Sequence, residues 1–201
     1  MTSSAGGVYA GSAQPPFDVD TPAVPLSPYG ELKVAQEALA LELLSGTCPV
    51  VIGRISNLYG PGQNLAKLQG LISRLALSAV TQQPINIFVP LDTIRDYIYV
   101  DDAARAILDA VGHAAAEDRH RRLVIASGQP TTVGQVIRTM NLVAKRRVPV
   151  ALGSHPSAYA QSLDLRLIPT VPLDATMPLP AGMKAVFLDI LTRVQANSLV
   201  G

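Results

Sequence analysis

Cysteine is almost absent. Cys48 is the only one in 201 residues, so no disulfide can close within the chain and a zinc site of cysteine pairs is excluded. Tryptophan is missing, and three Phe with six Tyr bring the aromatic fraction to only 4%. With 48% hydrophobic residues, the core must be filled by Ala, Val, Leu and Ile, the side chains that pack between helices and a parallel sheet. An excess of either charge is lacking too: 16 basic against 15 acidic residues leave +1, which excludes a charged disordered tail and an electrostatic nucleic-acid binder. No apolar run approaches the ~20 residues that cross a bilayer, and Met1 to Gly7 has neither a basic nor an apolar signal region. The expectation is a soluble cytoplasmic protein with no nucleic-acid or membrane partner, built as one domain of roughly 150 residues with an appendage.

What is present alternates between strand and helix patterns. Ser27 and Pro28 suit the cap and first turn of a helix that Gly46 can end, with Leu32, Ala35, Leu39 and Leu43 forming one apolar face. Pro49 to Ile55 is short, β-branched and apolar on both parities, as in a strand covered on both sides. Helices are expected over Leu65–Val80, with Leu68, Leu71, Ile72 and Leu75 inward, and from Val100 through Leu108, where Asp101 and Asp102 favour the positive end. Leu123–Ala126 reads as a strand and Thr132–Gln135 as a capping box opening a helix through Val143. Val148–Val150 suits a short edge strand, Gly153–Gly182 an ordered loop or flap, and Gly182–Val194 a closing helix. The fold class is α/β with crossover connections.

Chemistry concentrates at Tyr29-Gly30-Glu31-Leu32-Lys33, which sets a phenol and an ammonium four residues apart on one helix face. A free phenol titrates near ~10, so its use near neutrality takes roughly three units of stabilisation of the anion, about 4 kcal/mol, which a cation and a helix N-terminus can supply together. Tyr29 is thus a candidate general base and acid. Upstream, Ser3 and Ser4 end a small-residue segment that would leave a hydroxyl at the end of a strand, where open α/β sheets bind ligands.

The serine segment followed by Ser27-Pro28-Tyr29-Gly30-x-x-Lys33 resembles the Ser-Tyr-Lys triad of extended short-chain dehydrogenases/reductases, the nucleotide-sugar epimerase/dehydratase family. Three further stretches match that family in order: Arg54-Ile55-Ser56-Asn57-Leu58-Tyr59-Gly60-Pro61, Arg95-Asp96-Tyr97-Ile98-Tyr99-Val100-Asp101-Asp102, and Ala126-Ser127-Gly128-Gln129-Pro130-Thr131-Thr132-Val133. The resemblance spans residues 3 to 145. It implies a partial Rossmann-type, doubly wound parallel sheet. Residues 1–150 would be the C-terminal half of an NAD-binding domain interleaved with substrate-binding segments, and 151–201 the C-terminal loop and helix of the substrate-binding region. Tyr29 would take a proton from a sugar hydroxyl, Lys33 would bind the nicotinamide ribose and favour the phenolate, and Ser4, or else Ser3, would hydrogen-bond the reacting oxygen. Ile55 and Ser56 would flank the nicotinamide, and Asn57 and Arg95 would hold the substrate diphosphate. The implied reaction is 4-epimerisation of a nucleotide-sugar through a transient 4-keto sugar with NAD, with a homodimer through the Tyr29 helix.

Bland readings stand beside these. Asn57 could shape a turn, Arg95 could pair with Asp96, and Ser3 and Ser4 could belong to a frayed terminus. His113, His120 and His155 have no ligand spacing, no metal is expected, and the basic runs at 119–122 and 145–147 read as solvated ends of elements. The family's opening G-x-x-G-x-x-G turn does not occur in the sequence, so about a hundred residues of the pattern, with the adenosine site, would lie outside it. A 4-keto-sugar reductase using NADP is the neighbouring chemistry. A non-catalytic remnant or interaction module is the alternative of a different class. Ala5 and Gly6 stand where dehydratases carry an Asp-Glu pair, which argues against that branch.

Overall fold

The computed structural model describes the chain except for residues 67–69, 118–119, 155–161, 172, 174 and 199–201. In chain order the elements are β1 (Thr2–Ser4), α1 (Ala5–Val8), α2 (Pro28–Leu44), β2 (Val51–Ile55), β3 (Asn57–Tyr59), α3 (Leu71–Thr81) and β4 (Ile85–Ile87), then β5 (Ile94–Tyr99), α4 (Val100–Glu117), β6 (Arg121–Ile125), β7 (Pro130–Thr132), α5 (Val133–Ala144), β8 (Val150–Leu152) and α6 (Leu179–Ser198). A parallel sheet of order β1-β2-β6 carries Ser4 opposite Ile55 and Ile55 opposite Ile125. Its two faces are both covered, which is why its strands read as apolar on both parities. Leu123 and Ile125 pack with Ala103, Ala106 and Ala110 of α4, whereas Val124 and Ala126 pack with Ala5, Val8 and Tyr9 on the opposite side.

A single residue, Ser56, separates β2 from β3, and there the chain passes from the first sheet into a second. In that sheet β5 pairs parallel to β3, with Asn57 opposite Tyr97, and antiparallel to β7. Helices α3, α5 and α6 close over it through Leu75, Val136, Met140, Met183 and Ile190, in one core with Tyr59, Tyr97 and Tyr99. The short pair β4–β8 flanks this core.

Several expectations change. The Leu32–Ala35–Leu39–Leu43 face of α2 points outward: Leu32, Leu39 and Leu43 are 55%, 52% and 65% exposed. The buried stripe instead follows Gly30, Val34, Glu37 and Leu41, spaced by four, three and four residues, because the helix is seated by a polar contact rather than by leucines. Glu37 is 3% exposed and pairs with Arg54 of β2 at 2.8 Å. Helix α2 ends at Leu44, before Gly46. Helix α3 starts at Leu71, not Leu65, because Gly70 takes a left-handed conformation (φ +86°) that breaks the run; Leu68 lies outside the described residues. The edge strand falls at Val150–Leu152, after Pro149, whose carbonyl accepts from the Ile85 N–H. Helix α6 starts at Leu179, so Gly182 lies inside it, where a Cβ would meet the Tyr59 ring.

The Ser27 cap, with its side chain accepting from the Gly30 N–H, and the reciprocal Thr132/Gln135 box form as the sequence dictates. Of the Gly153–Gly182 stretch, the described part around Leu165 and Leu167 is ordered, bridging to Phe17 and Ile94; residues 155–161, including His155, lie outside the description. Among the described residues no helix is long and apolar enough to cross a membrane.

Truncating the fully buried Leu75 to Ala is expected to lower the unfolding free energy by about 2–5 kcal/mol, read from denaturant midpoints. A second expectation concerns acid. Burial alone would raise the Glu37 carboxyl, but hydrogen bonds from Arg54 and Ser3 and the charges of Arg54 and Arg122 outweigh it and hold the carboxyl below its ordinary value. Its stabilising contribution is therefore complete above the unfolded value, near pH ~4.3, and is lost as pH falls through the lower folded value. Glu37→Gln should cost about 3–5 kcal/mol at neutral pH, and thermal unfolding of the two proteins should converge as pH falls below about 4.

Candidate active site

Of the residues singled out in the sequence, Ser4 and Ile55 stand at the carboxyl ends of β1 and β2, Ser56 just past β2, Tyr29 and Lys33 on α2, and Asn57 and Arg95 at the starts of β3 and β5. Ser4 ends β1 and caps α1, its hydroxyl accepting from the Gly7 N–H at 3.1 Å. Gly7 in turn lies under Tyr29: a Cβ there would sit 3.2 Å from Cδ1 and Cε1 of the phenol ring. At the same crossing a Cβ on Gly30 would collide with the Gly7 carbonyl, so glycine is what lets α2 approach α1 closely. Lys33, one turn along, sets its Nζ 5.8 Å from the Tyr29 ring centroid and donates to the Thr2 carbonyl at 3.4 Å. Tyr29 is 54% exposed, within reach of a ligand.

The two serines part company. Ser3 is buried and donates to Glu37 Oε1 at 2.6 Å, which commits its hydroxyl to the α2 side of the sheet. The Ser4 hydroxyl instead caps α1, accepting from the Gly7 N–H. Across the sheet, Ile55 packs on the α4 core, and Ser56 holds the Ile125 carbonyl with its N–H. The Ser56 hydroxyl is buried with no hydrogen-bond partner among the described residues. An unpaired hydroxyl at the end of β2, with an exposed phenol and a half-buried ammonium beside β1, fits the nicotinamide-ribose end of a dinucleotide.

Asn57 and Arg95 lie beyond Ser56, on adjacent strands of the second sheet. Asn57 Nδ2 donates to the Asp96 carbonyl at 2.9 Å, so it ties β3 to β5. Arg95 is buried, and its Nη1 donates to the carbonyls of Ile94 and Ser162 at 2.9 and 2.8 Å. Burial lowers its pKa, with the charges of Tyr97 and Asp164 opposing, yet a guanidinium stays charged and has donors enough to hold carbonyls and a phosphate together. Arg95 does not turn to Asp96. That carboxylate accepts instead from the Ser127 N–H and hydroxyl, each at 2.9 Å, and from the Gln129 N–H, pinning the turn after β6 to β5.

Other phenols are unsuited to proton transfer near neutrality. Burial raises Tyr9, Tyr59 and Tyr99 and pushes Tyr97 up to about 12, so all four stay protonated. His120 is structural, its Nδ1 accepting from the Val50 N–H. The sequence reading passed over Glu37 and treated Asp96 only as a partner for Arg95. The signal for Glu37 was Arg54 itself, a cation in a strand otherwise apolar on both faces, which requires a buried counter-charge. Asp102, read only as favourable to the start of α4, also accepts from the Met177 N–H at 2.7 Å and pairs with Arg105.

Residues 1–126 match the model of the NAD dependent epimerase/dehydratase family. The chain is 29% identical over 184 residues to a dTDP-4-dehydro-6-deoxyglucose reductase of Escherichia coli, covering 85% of this chain and 56% of that protein. It is 34% identical over 117 residues to a dTDP-L-rhamnose 4-epimerase of Burkholderia thailandensis, covering 57% of this chain and 31% of that protein. Among solved structures, MoeE5 in complex with UDP-glucose and NAD superimposes with a TM-score of 0.82 at 25% identity, over 97% of this chain and 64% of that one. The chain thus spans about half the length of the curated reductase it matches, or 56% of it. On the match over residues 1–126 and the motifs it contains, the chain belongs to the NAD dependent epimerase/dehydratase family.

Proposed function

We propose that this chain carries the catalytic-helix and substrate-binding part of an NAD-dependent enzyme acting on a nucleotide-linked sugar, by 4-epimerisation. The observation that carries the reading is that Ser4 caps α1 through the Gly7 N–H, that the Tyr29 ring lies over that same glycine, and that the Lys33 ammonium stands 5.8 Å from the ring centroid. Residues 1–150 are read as the C-terminal half of a Rossmann-type domain with interleaved substrate segments, and 151–201 as the rest of the substrate region. Support for that division comes from α6, which packs in one core with Tyr59 and Tyr97, next to Asn57 and Arg95.

NAD, when bound, supplies the hydride acceptor and donor. Tyr29 takes the proton from the sugar hydroxyl and returns it, with the Lys33 ammonium beside its ring. Lys33 also holds the nicotinamide ribose, and Ser4 donates to the reacting oxygen. Ile55 and Ser56 border the nicotinamide, the Ser56 hydroxyl gaining there the partner it lacks. Asn57 and Arg95 hold the diphosphate, which sets the sugar against Tyr29. The complexes of MoeE5 with UDP-glucose and NAD and of a Thermotoga maritima UDP-glucose 4-epimerase with UDP-glucose make a uridine diphosphate sugar the first ligand to try.

A second reading, a 4-keto-sugar reductase drawing on NADPH, is favoured by one observation: the reductase relative aligns over 85% of this chain. The outward leucines of α2 suit a homodimer in which a second copy covers Leu32, Leu39 and Leu43.

Calorimetric titration with UDP-glucose and a dTDP-sugar is expected to show binding of a nucleotide sugar, with NAD and NADPH bound only weakly because the G-x-x-G-x-x-G turn does not occur in the sequence; no heat with any of them supports the non-catalytic remnant instead. Tyr29→Phe should cut turnover by about 10²–10⁴-fold while leaving nucleotide-sugar affinity unchanged, and retained turnover removes Tyr29 from its role. Replacing Leu39 and Leu43 by Lys should shift sedimentation towards the monomer; an unchanged dimer moves the interface elsewhere.

A further inference from the structure

We propose that the buried Glu37–Arg54 pair is the positioning element of the Ser4–Tyr29–Lys33 site, fixing where α2 lies on β1 and β2. The catalytic consequence rests on the functional reading above; the placement rests on geometry alone. Tyr29, Lys33 and Glu37 recur every four residues and so form one stripe along α2. Besides Val34 in the α1 core and Lys33 on the Thr2 carbonyl, the helix is held to the body of the fold at two points. At its first turn Gly30 presses on Gly7, with the Tyr29 ring over the same glycine. Two turns on, Glu37 sits above the register pair Ser3↔Arg54, where β1 and β2 are joined.

The contacts at this second point are directional. Glu37 accepts from Arg54 Nε at 3.0 and 3.2 Å, from Arg54 Nη2 at 2.8 Å and from the Ser3 hydroxyl at 2.6 Å, with Arg122 of β6 at 3.5 Å. Arg54 extends the set through Nη1 to the Tyr9 hydroxyl at 2.8 Å, and Tyr9 donates on to the Asp18 carbonyl. Two apolar side chains could fill this space and stabilise it as well or better, since removing two ions from water costs about as much as their attraction returns. They would not fix the rotation or the axial position of α2. A contact at one end of a helix leaves it free to pivot; a second, made of fixed hydrogen-bond vectors, does not. Lys33 lies between the two, and Ser3 and Arg54 are the immediate neighbours of Ser4 and Ile55. An error in seating Glu37 is therefore an error in the distance from Tyr29 to Ser4.

The test uses Glu37→Met with Arg54→Met, which keeps volume and removes the directed bonds. The Gly7 amide resonance reports the Tyr29 ring above it, and Tyr29→Leu in each background gives the ring's contribution. In the parent, Tyr29→Leu should move the Gly7 resonance. In the folded double variant, with a melting temperature near the parent's, that response should be lost. A Gly7 response equal to the parent's overturns the proposal. Should the double variant fail to fold, Glu37→Gln carries the same readout, with a diminished Gly7 response expected and an unchanged one again overturning it. Turnover of a nucleotide sugar retained by Tyr29→Phe sinks the functional reading, while the Gly7 measurement still decides the placement.

Discussion

A guanidinium and a carboxylate, 4% and 3% exposed, meet where three parallel strands carry one helix, and most of the site geometry descends from that meeting. Neither ion is tolerable there alone, because an unpaired buried charge costs several kcal/mol. Once paired, they admit only one arrangement of Ser3, Glu37, Arg54 and Tyr9. The helix that bears the phenol and the ammonium is thus seated by charge, not by leucine, and its leucines are left on the outside. Local and tertiary preferences disagree along α2, and the tertiary one prevails.

The second constraint is the absence of side chains at Gly7 and Gly30. Close passage of α1 and α2 brings the Tyr29 ring onto the backbone that Ser4 caps, with the Lys33 ammonium beside that ring. Farther along, Asp96 anchors the Ser127–Gln129 turn while its carbonyl receives Asn57. That one residue joins β5, β3 and the turn, and its neighbour Arg95 inherits the position.

The elements most legible in the sequence were those with their own local signals. Ser27-Pro28 and Thr132-x-x-Gln135 cap helices where their chemistry says they should, and the doubly apolar runs at 51–55 and 123–125 fall in β2 and β6, covered on both faces. Ordered motifs single out Ser4, Tyr29, Lys33, Ile55, Ser56, Asn57 and Arg95 as candidates. Less legible were features fixed by distant partners. The inward side of α2 depends on Arg54, seventeen residues from Glu37 in sequence, and periodicity among leucines pointed the wrong way. Strands β3, β4 and β7 are three residues each, too short for an alternation to register. The start of α3 was misjudged because nothing in Leu65–Gly70 announces the left-handed glycine that delays it.

Ser56 acts as a ruler. With one residue between the last of β2 and the first of β3, and a strand rise of about 3.3 Å per residue, the separation between the ends of the two sheets is set by covalent geometry rather than by packing. Adding or deleting a residue there would shift Asn57 by a full step and turn its side chain to the other face, whatever the surrounding core did. The spacing from Ile55, the last residue of β2, to Asn57, the first of β3, is thereby written into the chain's own bond lengths.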